Sequence, residues 1–164
     1  VIIRPERTED AAAIRDVLTA AFSGNAEADL VEGLRAGGAL VLSLVADDAG
    51  VRGYIGFPRL RVENTQGAFD AVGLAPVAVV PDHQRRGIGA AMIREGHRLL
   101  AEQGHSLSFV LGDPAYYQRF GYDLATAAPF DSVYAGPYFM ALRLSEVAPR
   151  AGKVRYPAAF SQLG

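Results

Sequence analysis

The sequence predicts an α/β fold of the α+β kind, a mixed sheet with helices packed against it. Three observations carry this. Short apolar runs recur along the chain, bounded by turns rich in Gly, Asp, Asn and Pro. Amphipathic stretches with helical period lie between several of them. One apolar run passes through a glycine turn into a helical pattern and then into another apolar run, which implies a local parallel pair with a crossover helix.

Taken in order, Val1 to Pro5 reads as a first strand. Thr8 is placed as an N-cap, with Glu9 and Asp10 in the first turn of a helix. Ile14, Val17, Leu18, Ala21 and Phe22 recur at i, i+3, i+4, i+7 and i+8, one inward face. Ser23-Gly24-Asn25 breaks this helix. A second runs from about Ala26 to Arg35, with Leu30, Val31 and Leu34 inward and Gly37-Gly38 as its stop. Leu40 to Ala46 is a buried strand. After the turn Asp47 to Gly50, a further strand starts at Gly53-Tyr54-Ile55-Gly56-Phe57. Leu60 and Val62 continue it past Pro58, with a bulge at the proline. A turn at Asn64 to Gly67 makes these strands and the next an antiparallel meander. That next strand is expected to run unbroken from Ala71 to Val80. A helix of about 16 residues follows, with Ile88, Met92, Leu99 and Leu100 inward and Gly104 at its end. Leu107 to Leu111 is a strand, a short helix starts at Asp113-Pro114, and Phe120-Gly121-Tyr122 closes it. Tyr138 to Leu144 is the last clear strand. The 164 residues read as one domain, the tail from about Ser145 being its least patterned part.

Composition narrows the function. Half of the residues are hydrophobic and 21% are charged, as in soluble globular proteins. Net charge is 16 − 18 = −2, which offers no electrostatic case for nucleic acid or an anionic membrane. The absence of cysteine removes disulfides, cysteine nucleophiles and thiolate metal sites. His83, His97 and His105 lack the spacing of a zinc motif, so no metal is expected. His97 and His105 are placed on a helix surface and in a loop. No apolar run approaches the roughly 18 residues of a membrane span. The chain begins at Val1 without a basic-then-apolar leader, so the default expectation is the cytoplasm.

The most informative stretch is Val77-Ala-Val-Val-Pro-Asp-His-Gln-Arg-Arg-Gly-Ile-Gly-Ala-Ala-Met92. Glycines ahead of a helix leave backbone N–H groups uncovered, and the helix start adds partial positive charge, a setting for a phosphorylated ligand. Gly87 and Gly89 let a pyrophosphate reach the backbone, and Arg85 and Arg86 add cationic donors. Two glycines alone also fit an ordinary strand-to-helix turn. The preceding strand, Pro81, Gln84 and the arginine pair favour the phosphate reading. A nucleotide P-loop pattern is absent. A dinucleotide Gly-x-Gly-x-x-Gly fails because Met92 stands at its third position.

What remains, Gln84-x-x-Gly87-x-Gly89 after an apolar strand, resembles the acetyl-CoA signature of the GCN5-related N-acetyltransferases (GNAT). The resemblance extends from the first strand to about Leu144 and implies their β-α-α-β-β-β-α-β-α-β fold, a mostly antiparallel sheet with a splayed parallel pair. It implies acetyl-CoA as cosubstrate. Gln84 opens the signature, and the backbone from Arg85 and Arg86 through Gly87, Ile88, Gly89 and Ala90 would hold the pyrophosphate. Val77, Ala78 and Val79 would pair with the pantetheine arm, with the Val79 amide toward the thioester carbonyl. The Leu107 to Leu111 strand would be the splayed neighbour.

A second stretch, Gly112-Asp-Pro-Ala-Tyr-Tyr-Gln-Arg-Phe-Gly-Tyr122, resembles the same family's Tyr-x-x-x-Gly-Phe/Tyr segment through Tyr117, Gly121 and Tyr122, and most closely a bacterial subgroup of acetyltransferases. The resemblance implies direct attack of a neutral amine on the thioester. A tyrosine phenol can supply a proton or hydrogen bond to the leaving sulfur, which makes Tyr117 the candidate catalytic acid. Packing at the rim of a pocket is its plain alternative. Tyr116 and Asp113 are assigned to cofactor binding, Asp113 at the pantetheine or the cofactor's end, with packing for Tyr116 and helix capping for Asp113 as their plain alternatives. Candidates for the general base are Glu27, Glu32, Glu63, Asp70 and His83, or a water chain. Glu27 is singled out as an acceptor-site residue, because in such folds the first helical hairpin lines that site. Phe130, Tyr134, Tyr138 and Phe139 fit plain core, an acceptor pocket or a dimer contact. The expected activity is transfer of an acetyl group to a primary amine, on a small molecule rather than a peptide end or lysine, and a homodimer is in keeping with the family. The alternatives are a non-catalytic acyl-CoA-binding or sensing module and, disfavoured by the failed glycine patterns, a nucleotide-binding fold.

Overall fold

The computed structural model describes residues 1–163. The chain opens with β1 (Ile2–Pro5), α1 (Ala11–Phe22) and α2 (Ala26–Ala36). Then come β2 (Leu40–Asp47), β3 (Val51–Asn64), β4 (Gly67–Gly73), β5 (Val77–Val79), α3 (Ile88–Glu102) and β6 (Leu107–Leu111). The last third holds α4 (Pro114–Tyr117), α5 (Leu124–Ala127), β7 (Phe130–Asp131), β8 (Phe139–Arg143) and β9 (Gly152–Arg155). The main path of the sheet is β1-β2-β3-β4-β6-β8, with β5 and β9 paired to β3 and β7 paired to β9. All pairs are antiparallel except β4–β6 and β7–β9. The predicted element order and mixed sheet are present. No described helix is long and apolar enough to cross a membrane.

Both faces of the β2–β3 region are covered, which explains why Leu40 to Ala46 is apolar at every position but Ser43 rather than alternating. Leu44, Ala46 and Ile55 face α3, packing with Met92, Ile93 and Leu100. Val45 and Tyr54 point the other way, onto Ile14, Val17 and Leu18 of α1 and Val31 of α2. The second half of β3 joins β4, β6, β8 and β9 around Leu60, Val62, Phe109, Phe139 and Val154.

Several local expectations are corrected. Thr8 does not cap α1; it begins a short 3-10 turn. Asp10 anchors the entry instead: its carboxylate accepts the Arg7 amide at 2.7 Å and the Arg4 guanidinium at 2.8 Å, and Arg4 also reaches Asp47. Phe22 is 41% exposed rather than inward. The bulge near Pro58 falls on the opposing strand: Leu40 pairs with Pro58 and Leu42 with Phe57, so Val41 is the extra residue. The stretch from Ala71 to Val80 is not one strand. It breaks at Leu74-Ala75-Pro76, because the Leu74 amide donates to the Phe109 carbonyl at 2.8 Å while the next amide, Ala75, donates to Gly56 at 3.0 Å. At that step the chain leaves β6 and returns to β3.

His97 is half-buried rather than on the open helix surface. It lies on α3 between Phe57 and Tyr122, its Nε2 2.9 Å from the Tyr122 hydroxyl, which is 2.8 Å from the Ser108 hydroxyl. Burial pushes its pKa from 6.5 down to about 4. The unfolded chain therefore binds the extra proton between these values, and stability present above pH 6.5 drains away as pH falls toward 4, by at most about 3 kcal/mol. The Tm difference between pH 7 and pH 5 should shrink in His97→Gln. An unchanged difference would remove His97 as its source.

Candidate active site

The site forms where the chain passes from β4, paired with β6, to β5, paired with β3. Val72 and Gly73 of β4 run parallel to Ser108 and Phe109 of β6. Beyond Leu74 the two strands part, β5 staying with β3. Antiparallel pairing alternates the direction of backbone groups. Gly56 donates to the Pro76 carbonyl and the Val80 amide donates to Arg52, so Pro76, Ala78 and Val80 direct their polar groups at β3. The N–H and C=O of Val77 and Val79 therefore point to the open edge. Ala78 faces inward, its side chain in the core with Tyr54. The Val79 carbonyl is taken by Gln84, whose Nε2 donates to it at 2.9 Å. The edge that remains offers both groups of Val77 and the Val79 amide, a strip on which an extended amide-bearing chain can add as a strand.

This strip leads into the turn before α3. Arg85 has φ 66°, a left-handed conformation that costs a non-glycine residue about 1–2 kcal/mol, and Gly87 has φ 79°. Gly87 stands at the N-cap and has no side chain to close the helix, and no acid occupies the first turn. The Ile88, Gly89 and Ala90 amides are thus left for an outside acceptor, at the positive end of a 15-residue helix. Gln84, Arg85, Arg86 and Gly87 are all exposed, and neither arginine forms an ion pair with a described residue. The Tyr116 hydroxyl comes within 3.3 Å of where a Cβ on Gly89 would stand, so this tyrosine lies over the first turn of α3. Its ring packs edge-on to Tyr117 and Phe120 and carries the Arg119 guanidinium at 5.1 Å. Asp113 caps α4 by accepting the Ala115 amide at 3.0 Å.

The gap between β5 and β6 opens into a cavity of about 370 Å³. Its lining runs from the bridge Gly73 to Val77 and from Val110 and Leu111 across to Phe22, Glu27 and Leu30 of the helix pair, with Tyr117, Tyr134, Phe139, Tyr156 and Phe160. Tyr117 is held by Gly112, because a Cβ at that glycine would sit 2.5 Å from the ring. Burial pushes the Tyr117 phenol up to about 12, so it stays protonated across the physiological range. Gly112→Ala is expected to swing this ring out of the gap and lower kcat by about tenfold or more with little change in Tm. Equal kcat in the variant would show that the ring's placement is immaterial.

Among the five carboxylate and histidine candidates for the base, four are engaged elsewhere. Glu32 pairs with Arg15 at 2.9 Å, Glu63 with Arg155 at 2.7 Å, Asp70 with Arg61 at 3.0 Å and His83 with Asp48 at 3.3 Å. Glu27 lines the cavity, and no described residue pairs with it. Phe130 and Phe139 are core, Phe139 also bordering the cavity, Tyr134 lines it, and Tyr138 is 58% exposed. Sequence reasoning missed Tyr156 and Phe160, which reach the cavity because β9 pairs with β3. No group of three or more His, Cys, Asp or Glu that could hold a metal occurs among the described residues.

Residues 2–125 match the family description acetyltransferase (GNAT) domain. The uncharacterized N-acetyltransferase YhbS of Escherichia coli K12 is 41% identical over 127 residues, 76% of this chain and 75% of that protein. The uncharacterized N-acetyltransferase YjhQ of the same organism is 37% identical over 132 residues, 79% of this chain and 71% of that protein. The crystal structure of Escherichia coli YhbS in complex with CoA superposes with a TM-score of 0.90 at 36% identity, covering 99% of this chain and 93% of that one. A GNAT family acetyltransferase from Brucella melitensis in complex with acetyl-CoA gives 0.82 at 39% identity, covering 97% of each chain. An open amide turn ahead of α3, a free strand edge leading to it and these similarities over most of the chain agree: the protein belongs to the GNAT family of acetyltransferases.

Proposed function

We propose that the protein transfers the acetyl group of acetyl-CoA to a primary amine on a small molecule, by direct attack on the thioester. The observation that carries this is the continuity of three features: the uncapped start of α3, the free edge of β5, and the gap that leads to Tyr117 and Glu27. The pyrophosphate sits on the Gly87 to Ala90 amides with Arg85 and Arg86 beside it. The pantetheine arm runs along Val77 and Val79. The Val79 amide donates to the thioester carbonyl, where negative charge grows as the amine attacks. A C–N bond forms and the C–S bond breaks; the amine loses a proton toward Glu27 or water, and the sulfur leaves as thiolate.

The pKa of Tyr117 decides its part. A phenol at about 12 is a weaker acid than a thiol with pKa near 8.5, so full proton transfer to the sulfur is uphill. Tyr117 serves better as a hydrogen-bond donor that steadies the thiolate until it takes a proton from solvent. Tyr117→Phe should lower kcat by roughly 10- to 100-fold while leaving the KM for acetyl-CoA within about twofold. The pH profile should show no limb from Tyr117 below pH 10. CoA release with a panel of amines tests both the enzyme and the variant. Binding of acetyl-CoA with no turnover of any amine would instead favour an acyl-CoA-binding module.

A further inference from the structure

Resting on the acetyltransferase reading above, we propose that the acceptor is a small amine with a hydrophobic, ring-bearing body, its ammonium arriving on Glu27 and its body among Tyr134, Tyr156 and Phe160. Charge is the first argument. Among the described residues that line the cavity, Glu27 is the sole charged one. It is half-buried, whereas its helix neighbours Asp29 and Glu32 are both engaged by Arg15. A carboxylate lining an apolar cavity with no described cation beside it is free to take a ligand ammonium as its charge-assisted hydrogen-bond partner. That ammonium loses one proton to solvent before attack, and as the C–N bond forms and the nitrogen becomes acidic its second proton can pass to the same carboxylate.

The walls supply the second argument. Tyr134 meets Tyr156 edge-on at 4.9 Å, and Tyr156 meets Phe160 at 5.6 Å. The Tyr156 hydroxyl is engaged by Ser132 at 2.7 Å, which leaves its ring as the main surface this residue adds to the lining. Such an aromatic set accommodates another ring in edge or offset geometry and also favours a nearby cation. It disfavours other amines. A peptide end carries an amide beside its amine, and a polyamine carries further charges; either would lose water against apolar walls without replacement.

Size is the third argument. The outer wall is fastened to the helix that carries Glu27: Ala159 lies so close to Gly33 of α2 that a Cβ there would meet it at 3.2 Å. The cavity of about 370 Å³ must also admit the acetyl end, which leaves room for a ring-sized body rather than a folded partner.

The test is calorimetric binding to the full chain, with and without CoA, using 2-phenylethylamine, its uncharged analogue 2-phenylethanol, spermidine and dialanine. 2-Phenylethylamine is expected to bind at least about tenfold more tightly than the other three. Glu27→Gln should erase the preference for the amine over the alcohol, and Phe160→Ala should weaken both alike. Neither change should alter the stabilisation by CoA. Equal or tighter binding of spermidine or dialanine, or an amine preference that survives Glu27→Gln, would overturn the proposal. Tight binding of 2-phenylethylamine without acetyl transfer would support the ligand class and sink the enzymatic reading, so the two fail separately.

Discussion

Replacing Gly87 with glutamate is expected to abolish the stabilisation of the protein by CoA while leaving it folded. At a CoA concentration 100 times its Kd, binding stabilises the native state by about 2.7 kcal/mol. For a chain of this length that amounts to a Tm rise of roughly 5–10 °C. In Gly87→Glu two small local effects oppose each other. The φ of 79° strains any residue with a Cβ, by about 1–2 kcal/mol. A carboxylate at the N-cap of α3 returns about 0.3–1 kcal/mol through the helix dipole. Apart from the neighbouring backbone, no atom of a described residue lies within 4 Å of the added Cβ, so it meets no packing penalty, and the unliganded Tm should fall by only a few degrees. The ligand effect is expected to be far larger, because the new carboxylate competes for the Ile88, Gly89 and Ala90 amides and repels the pyrophosphate proposed to sit there beside Arg85 and Arg86. Gly87→Ala carries the same strain without the charge and should keep part of the shift. A full CoA-induced shift in Gly87→Glu would show that the phosphates lie elsewhere.

This turn was legible in the sequence because everything that builds it is local. Gly87 is needed for its own φ, Gln84 reaches back five residues to Val79, and the helix that supplies the amides begins in the same stretch. The order of strands and helices was legible for the same reason: period and turn chemistry are written within each segment. What could not be read depends on distant partners. His97 looked solvent-facing because its burial comes from Tyr122 and Phe57, far away along the chain. Asp10 rather than Thr8 anchors the first helix because Arg4 is set by pairing of β1 with β2. The break at Leu74-Ala75-Pro76 follows from a choice between two neighbouring strands, which an apolar run does not reveal. The outer half of the cavity depends on β9 crossing to β3 and on Ala159 meeting α2. The weakly patterned tail thereby comes to line the cavity proposed to take the acceptor.

The largest loss of stability is expected at Gly96, which has no chemical role. This glycine faces inward from α3, and an added Cβ would stand 2.5 Å and 2.6 Å from two ring carbons of Phe57. Phe57 is fully buried in β3 between α3 and the sheet core, so the ring has nowhere to retreat. Helix propensity alone argues for alanine, by about 1 kcal/mol. Overpacking argues against it: forcing a methyl group into a filled core costs about 1–3 kcal/mol, and here the overlap approaches 1 Å against a rigid ring. The steric term wins, and Gly96→Ala should lower stability by about 1–2 kcal/mol in urea denaturation. Gly96→Leu adds three more carbons along the same line and should cost several kcal/mol, comparable to the whole stability of an ordinary domain. It should be recovered largely unfolded. The consequence reaches the site, because α3 carries the amide turn at one end while the sheet carries β5. If Gly96→Ala folds by lifting α3 from β3, it moves the turn relative to the Val77–Val79 edge, and CoA should bind more weakly though no cofactor-facing residue has changed. An alanine variant as stable as the parent would mean that Phe57 can yield. Unchanged CoA affinity in a destabilised variant would mean that the helix stays in place and only the ring moves.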